Sequence, residues 1–200
     1  MIFRPLRLRR SRKAHEARGI MFCRILFCLL CLGGVEIVSA NPLEGSWHLM
    51  PEHSTDLSGW KAYDLDITIE GDVVTLTRKF AAGRRTFVDV TPVDLSKAVN
   101  VVPVSWWPDN RHIGAYIGGD RTQRVRGEWL DDGRVLRLNT DLVLATQQGS
   151  RQVNILRNFT TSTNGRKLTL IELRSTRTRP IIYAFQRVSD ADRRATGTAE

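Results

Sequence analysis

The chain has 200 residues, 42% hydrophobic and 26% charged, a length that fits one domain with appendages. Its formal net charge of +9 is no nucleic-acid footprint, because residues 1–40 hold eight Lys/Arg and two Asp/Glu, which leaves 22 against 19 beyond them. All three cysteines (Cys23, Cys28, Cys31) lie in that first stretch, so the rest of the chain can form no disulfide, thiolate metal site or cysteine nucleophile.

Residues 1–40 read as a secretory signal. Arg4, Arg7, Arg9, Arg10, Arg12, Lys13 and Arg18 make a positive lead. An apolar run from Ile20 to Val35, broken only by Arg24, is too short for the roughly 20 apolar residues that span a bilayer. Val38-Ser39-Ala40 supplies the small-x-small cleavage pattern. The expectation is export, to the periplasm or beyond, with cleavage near Ala40; Met21 opens a complete shorter signal and is an alternative start. Residues 41–188 are then one domain, large enough to bury roughly 68–70% of its unfolded surface without staples. Ser189 to Glu200 reads as a disordered tail.

Along the domain, apolar residues alternate with period two and glycine turns separate the runs, which predicts antiparallel hairpins. Strands are expected near Gly45–Met50, Arg84–Thr91, Ala98–Val104 and Ile181–Val188, besides three hairpins whose registers can be written. A Gly71-Asp72 turn sets Ile69 opposite Val74, Ile67 opposite Leu76, Leu65 opposite Arg78 and Asp64 opposite Lys79. An Asp132-Gly133 turn sets Trp129 opposite Leu136, Gly127 opposite Leu138, Glu128 opposite Arg137 and Arg124 opposite Asp141. An Asn164-Gly165 turn sets Phe159 opposite Leu170, Thr161 opposite Leu168 and Arg157 opposite Glu172. A slip of one residue would mismatch both faces in each. In the third hairpin Val153, Ile155, Phe159, Leu168 and Leu170 define the apolar face, so Arg157 and Glu172 point inward.

Nine or ten strands joined by short turns close naturally into a single antiparallel up-and-down barrel, an all-β fold; a two-sheet β-sandwich is the alternative. The segment Leu95–Asp120, with Trp106, Trp107, His112 and Tyr116, is too irregular for a long strand and has the length of a binding loop.

A resemblance rests on Gly45-Ser46-Trp47 at the head of the domain, Asn164-Gly165-Arg166-Lys167 in the last hairpin, and the closing strand Tyr183-Ala184-Phe185-Gln186-Arg187-Val188. Together these resemble the small exported lipocalin-like domains of bacterial envelopes. The likeness covers both ends of residues 43–188. In such barrels the Trp closes the floor under a basic side chain from the last strand. The resemblance thus implies Trp47 as the plug and Arg187, with Arg179 second, as the cation, worth about 0.5–2 kcal/mol. The disulfide of many animal lipocalins is missing here.

Chemistry-bearing motifs are scarce. His48 and His53 flank Met50-Pro51, not at the helical spacing of a metal pair, and no nucleophile elbow, phosphate loop or dinucleotide fingerprint occurs. The reading is therefore a non-catalytic, cofactor-free, metal-free monomeric barrel holding a small apolar or amphipathic ligand. Arg157 and Glu172 would meet its head, and Trp106, Trp107 and Tyr116 its body; the competing reading, preferred for the charges, is a buried Arg157–Glu172 ion pair that balances itself, with a tryptophan simply in the core. The alternative is an envelope module whose surface over residues 121–188, thirteen basic against five acidic, meets acidic partners or anionic lipid headgroups. An extracytoplasmic enzyme centred on His112 is the third reading.

Overall fold

The computed structural model describes residues 41–55, 62–82, 84–104, 107 and 115–189. The stretches expected to be a signal (1–40) and a tail (beyond 189), and with them Trp106 and His112, lie outside the described residues.

Eleven strands form one sheet: β1 Gly45–Leu49, β2 Ala62–Glu70, β3 Val73–Ala82, β4 Arg85–Asp94, β5 Asn100–Pro103, β6 Tyr116–Ile117, β7 Thr122–Leu130, β8 Val135–Thr146, β9 Gly149–Thr161, β10 Lys167–Arg174 and β11 Ile181–Arg187. The hydrogen-bonded order is β4-β3-β2-β1-β11-β10-β9-β8-β7-β5, with β6 also on β8. Every pairing is antiparallel, and β11 returns to β1 with Trp47 opposite Arg187 and Leu49 opposite Phe185. The ladder is therefore a meander wrapped into a nearly closed barrel, open only between β4 and β5 among the described residues. One continuous ladder sets aside the two-sheet sandwich.

All three hairpins take the registers written from sequence. Ile67 faces Leu76, Gly127 faces Leu138 and Phe159 faces Leu170. Gly165 supplies the left-handed backbone at its turn, with φ 64°. Of the three exposed charge pairs, Glu128 and Arg137 meet directly at 3.6 Å while the other two slide one step along the diagonal. Lys79 Nζ lies 3.1 Å from Asp66 rather than meeting its opposite number Asp64, and Arg126 rather than Arg124 holds Asp141 at 2.7 Å. Right-handed strand twist brings one diagonal neighbour closer than the residue across, and long side chains follow it. Strand β4 runs past the expected Thr91 to Asp94.

At the open seam the Asn100 side chain stands in for ladder bonds. It donates through Nδ2 to Asp94 O and accepts through Oδ1 from Asp94 N, both at 2.9 Å. Leu95 reaches across to Gly127, where a Cβ would come within 2.4 Å of its Cδ2. The glycine on β7 is thus the socket for the seam's own leucine.

The inward residues sort into three layers. At the floor, Trp47, Leu65, Ile67, Val74, Leu76, Leu138, Phe159, Leu168, Leu170 and Phe185 belong to one apolar cluster. Near the opposite end Leu142, Leu144, Val153 and Ile155 form a second, capped by Trp107, Ala115 and Ile117. Between them lies a charged layer.

Trp47 is fully buried, donates from Nε1 to Leu43 O at 3.0 Å, and carries the Arg187 guanidinium 4.2 Å over its ring. Arg187 also donates to Gly165 O (2.7 Å), Glu44 O (2.6 Å) and Pro42 O, tying the domain's first residues to the last hairpin turn. Gly45 makes room for it: φ is 131° there, and a Cβ would sit 2.4 Å from an Arg187 terminal nitrogen. Gly45→Ala is expected to cost about 1–3 kcal/mol in a denaturant titration. A value within error of zero would mean that Arg187 holds nothing there.

Candidate functional site

The charged layer is built from strand phase. On β3 the inward series is Val74, Leu76, Arg78, Phe80; on β4 it continues through Asp89, Thr91 and Val93; on β10 it is Leu168, Leu170, Glu172, Arg174. A charge at an apolar position in phase is carried inside whether or not it suits the core, so it must find partners there.

Two groupings satisfy this need. Asp89 accepts from Arg78 Nε at 3.0 Å, again from an Arg78 terminal nitrogen, and from Thr91 Oγ1 at 3.1 Å. Glu172 accepts from Arg157 Nε at 2.6 Å and from Arg174 Nε on its other oxygen, while Arg157 Nη1 reaches Thr140 Oγ1 at 3.2 Å. Exposure of Arg157, Glu172 and Arg174 is 6%, 3% and 6%.

The titration of this layer follows its geometry. Burial opposes charge on Glu172, but the Arg174 and Arg157 guanidiniums more than offset it and hold the carboxyl down at about 2. Asp89 is likewise held below the usual carboxylate range: burial raises it, and Arg78 and the Thr91 hydroxyl overcome that. Arg157 is pushed down, by burial first and by the like charges of Arg78 and Arg174. It remains a cation, since a guanidinium does not deprotonate in a protein. Burial lifts the Tyr63 hydroxyl to about 12. Its ring stacks on Phe80 at 4.1 Å and meets Tyr183 and Phe185 edge-on.

A small cavity opens beside this layer, lined by Arg78, Phe80, Asp89, Gln123, Leu142 and Arg157, with Val104 and Trp107 also on its wall. Its volume is about 10 Å³, room for one water. Two of its lining residues carry a buried N–H donor, Trp107 Nε1 and Gln123 Nε2, that has no hydrogen-bond partner among the described residues. Gln123 is 2% exposed. A buried donor left unpaired costs roughly 1–3 kcal/mol, and two on residues that line one cavity constitute demand for an acceptor.

Of the residues singled out from sequence, Arg157 and Trp107 meet at this cavity, and Glu172 anchors Arg157 from behind. Trp107 also lies under Arg174, whose Cζ is 5.0 Å from the ring centre. Tyr116 does not join them: β6 turns Ile117 toward the Leu144 cluster and leaves Tyr116 70% exposed. His48 Nδ1 lies 2.6 Å from Asp64 Oδ1 on the exposed outer wall, where neither group meets a third metal-ligating side chain; no group of three such residues occurs among the described residues.

Sequence reasoning missed Arg78, Asp89, Arg174 and Gln123. The signal was present for three of them, since each is a charge in phase with an apolar face. Arg78 was even written opposite Leu65. Gln123 carried no such signal, because a neutral amide on a strand is ordinary.

Fold and site together define an antiparallel barrel with a donor-rich polar layer inside an apolar lining. No family model matches the chain, and no curated protein does. Among solved structures it is similar to apo lipid binding protein 8 of Caenorhabditis elegans at TM-score 0.47 and 11% identity, over 76% of this chain and 99% of that one. It is also similar to the REP1-NXSQ fatty acid transporter, at TM-score 0.42 and 12% identity over 75% and 98%. A third likeness is to secretory abundant heat soluble protein 4 from Ramazzottius varieornatus, at TM-score 0.44 and 8% identity over 76% and 98%. These are likenesses of outline; the fold stands on the strand ladder itself.

Proposed function

We propose that this is an exported, non-catalytic binding barrel, released by cleavage near Ala40, whose interior takes the acidic head of a small amphipathic molecule. One observation carries the reading: Trp107 and Gln123, whose buried Nε1 and Nε2 donors have no partner among the described residues, line the same cavity as Arg78 and Arg157. A carboxylate or phosphate oxygen is the acceptor that satisfies such a set, and charge-assisted bonds in a dry site are the strong ones. Trp107 and Leu142, Leu144, Val153 and Ile155 offer the apolar surface for the rest of the molecule. A cavity of about 10 Å³ admits a head only when its lining opens, with the Trp107 ring tilting while its Nε1–H still meets the head. A molecule without a strong acceptor binds more weakly, because apolar contact alone poorly repays that opening.

The test compares a ten-carbon carboxylic acid with the alcohol of equal chain length by calorimetry. The acid is expected to bind at least tenfold more tightly, with Trp107→Phe and Gln123→Leu each weakening the acid about tenfold and leaving the alcohol unchanged. Equal binding of acid and alcohol would show an oily pocket without head recognition, and no binding of either would remove the proposal.

A further inference from the structure

The antiparallel meander puts alternate turns at opposite ends of the barrel, and the two ends differ in charge. Turns at the floor end carry Glu70 and Asp72 (β2–β3) and Asp131 and Asp132 (β7–β8), with Lys97, Arg134, Arg166 and Lys167 interspersed. The other end, beside the Trp107 cluster, carries Arg84 and Arg85 (β3–β4), Arg121 (before β7), Arg151 (start of β9), and Arg177 and Arg179 (β10–β11), against only Glu52 and Asp120 among the described residues.

The arginines of this rim differ from Arg126 and Arg137 on the barrel wall. On the wall, Arg126 is held by Asp141 at 2.7 Å, and Arg137 by Asn158 at 3.1 Å and Glu128 at 3.6 Å. Arg84, Arg85, Arg121, Arg151 and Arg179 are exposed, and none is ion-paired among the described residues. Apolar side chains stand at the same level. Tyr116 is 70% exposed, Leu173 45%, and Ile182 40% with Ile171 paired across from it, next to the turn that carries Arg179. Cations ringed around an exposed aromatic and aliphatic set match a bilayer interface, where headgroup phosphates take the charges and the boundary region takes the apolar residues. An acidic polypeptide or nucleic acid would use the charges and leave the aliphatic residues in water.

We infer that the barrel docks, rim first, on an anionic phospholipid surface. This surface is narrower than the stretch 121–188 that composition singles out, taking Arg121, Arg151, Arg177 and Arg179 from it and Arg84 and Arg85 from outside it, and it does not depend on the interior head site: a protein that binds no small acid can still dock.

Flotation with phosphatidylcholine vesicles, with and without 30% phosphatidylglycerol, tests it. Every variant keeps the same N-terminus, so the basic residues of 1–40 contribute equally. The chain is expected to bind the anionic vesicles only, and to lose binding by 0.5 M salt. The rim variant Arg85→Glu/Arg151→Glu/Arg179→Glu is expected to bind at least 100-fold more weakly, at about fivefold or more per position. The opposite-end variant Lys97→Glu/Arg134→Glu/Arg166→Glu, of equal charge change, is expected to stay within a few-fold of the unaltered chain. Circular dichroism checks that both remain folded. Equal loss in both variants, an unaffected rim variant, or binding to poly-glutamate or RNA without binding to the vesicles would each overturn the inference.

Discussion

Replacing Glu172 by Gln is expected to lower stability by about 3–5 kcal/mol, with a fall in Tm on the order of 10 °C. The carboxylate accepts from Arg157 on one oxygen and Arg174 on the other, all three nearly without solvent. The neutral amide keeps the shape but removes the charge and puts an NH2 donor where one acceptor oxygen stood, so Arg157 and Arg174 share a single neutral oxygen, with the Thr140 hydroxyl as Arg157's other described acceptor. The pH dependence has a definite sign. The folded carboxyl sits at about 2, below its ordinary value near 4.5, so its contribution is fully present above about pH 4.5 and is lost as pH falls toward 2. Urea midpoints measured across that window should fall for the unaltered protein, with a shallower slope for Glu172→Gln. Glu128→Gln, on an exposed pair, is the control and is expected to cost under about 1 kcal/mol. Removing the charges together, as in Arg157→Met/Glu172→Leu/Arg174→Met, should cost less than Glu172→Gln alone, because no buried charge is then left without its partner. A Glu172→Gln variant within 1 kcal/mol of the unaltered protein would contradict the arrangement.

Trp47→Ala is the second large effect, about 3–5 kcal/mol, since it empties the largest fully buried side chain of the floor. The loss exceeds the volume term, because the ring also carries Arg187 and the indole nitrogen holds Leu43 O. Arg187→Lys separates the parts. A lysine keeps a cation above the ring but cannot reach Gly165, Glu44 and Pro42 carbonyls together, so about 1–2 kcal/mol should go with the latch alone. Hydrogen exchange localises it: amides of residues 41–46 and 162–167 should lose protection in Arg187→Lys while those of β8 and β9 keep theirs. Unchanged protection at both segments would show that Arg187 ties nothing together.

What could be read from the chain follows from how local each signal is. A two-residue period with an Asn-Gly or Asp-Gly turn determines a hairpin register by itself, which is why Phe159 opposite Leu170 and Ile67 opposite Leu76 were legible. Closure through β1 and β11 was an expectation from the strand count and short turns alone, because strands more than a hundred residues apart leave no local mark. The cavity was half legible. Arg157 and Glu172 announced themselves as charges in apolar phase. Arg78 and Asp89 sit on neighbouring strands, and Trp107 comes from the irregular segment, so their meeting with Arg157 depends on curvature that no single hairpin encodes. Tyr116 shows the reverse: an aromatic in a binding-loop context that a two-residue strand turns outward.

The central claim, that the interior recognises an acidic head, is tested most directly at the indole nitrogens. With 15N-labelled protein, the Trp107 Nε1–H resonance, assigned by its loss in Trp107→Phe, should move downfield on titration with the ten-carbon acid as the orphan donor gains an acceptor. The Trp47 Nε1–H, already bonded to Leu43 O, should stay still. A Trp107 signal unmoved at saturating acid, or moved equally by the matching alcohol, would contradict the account.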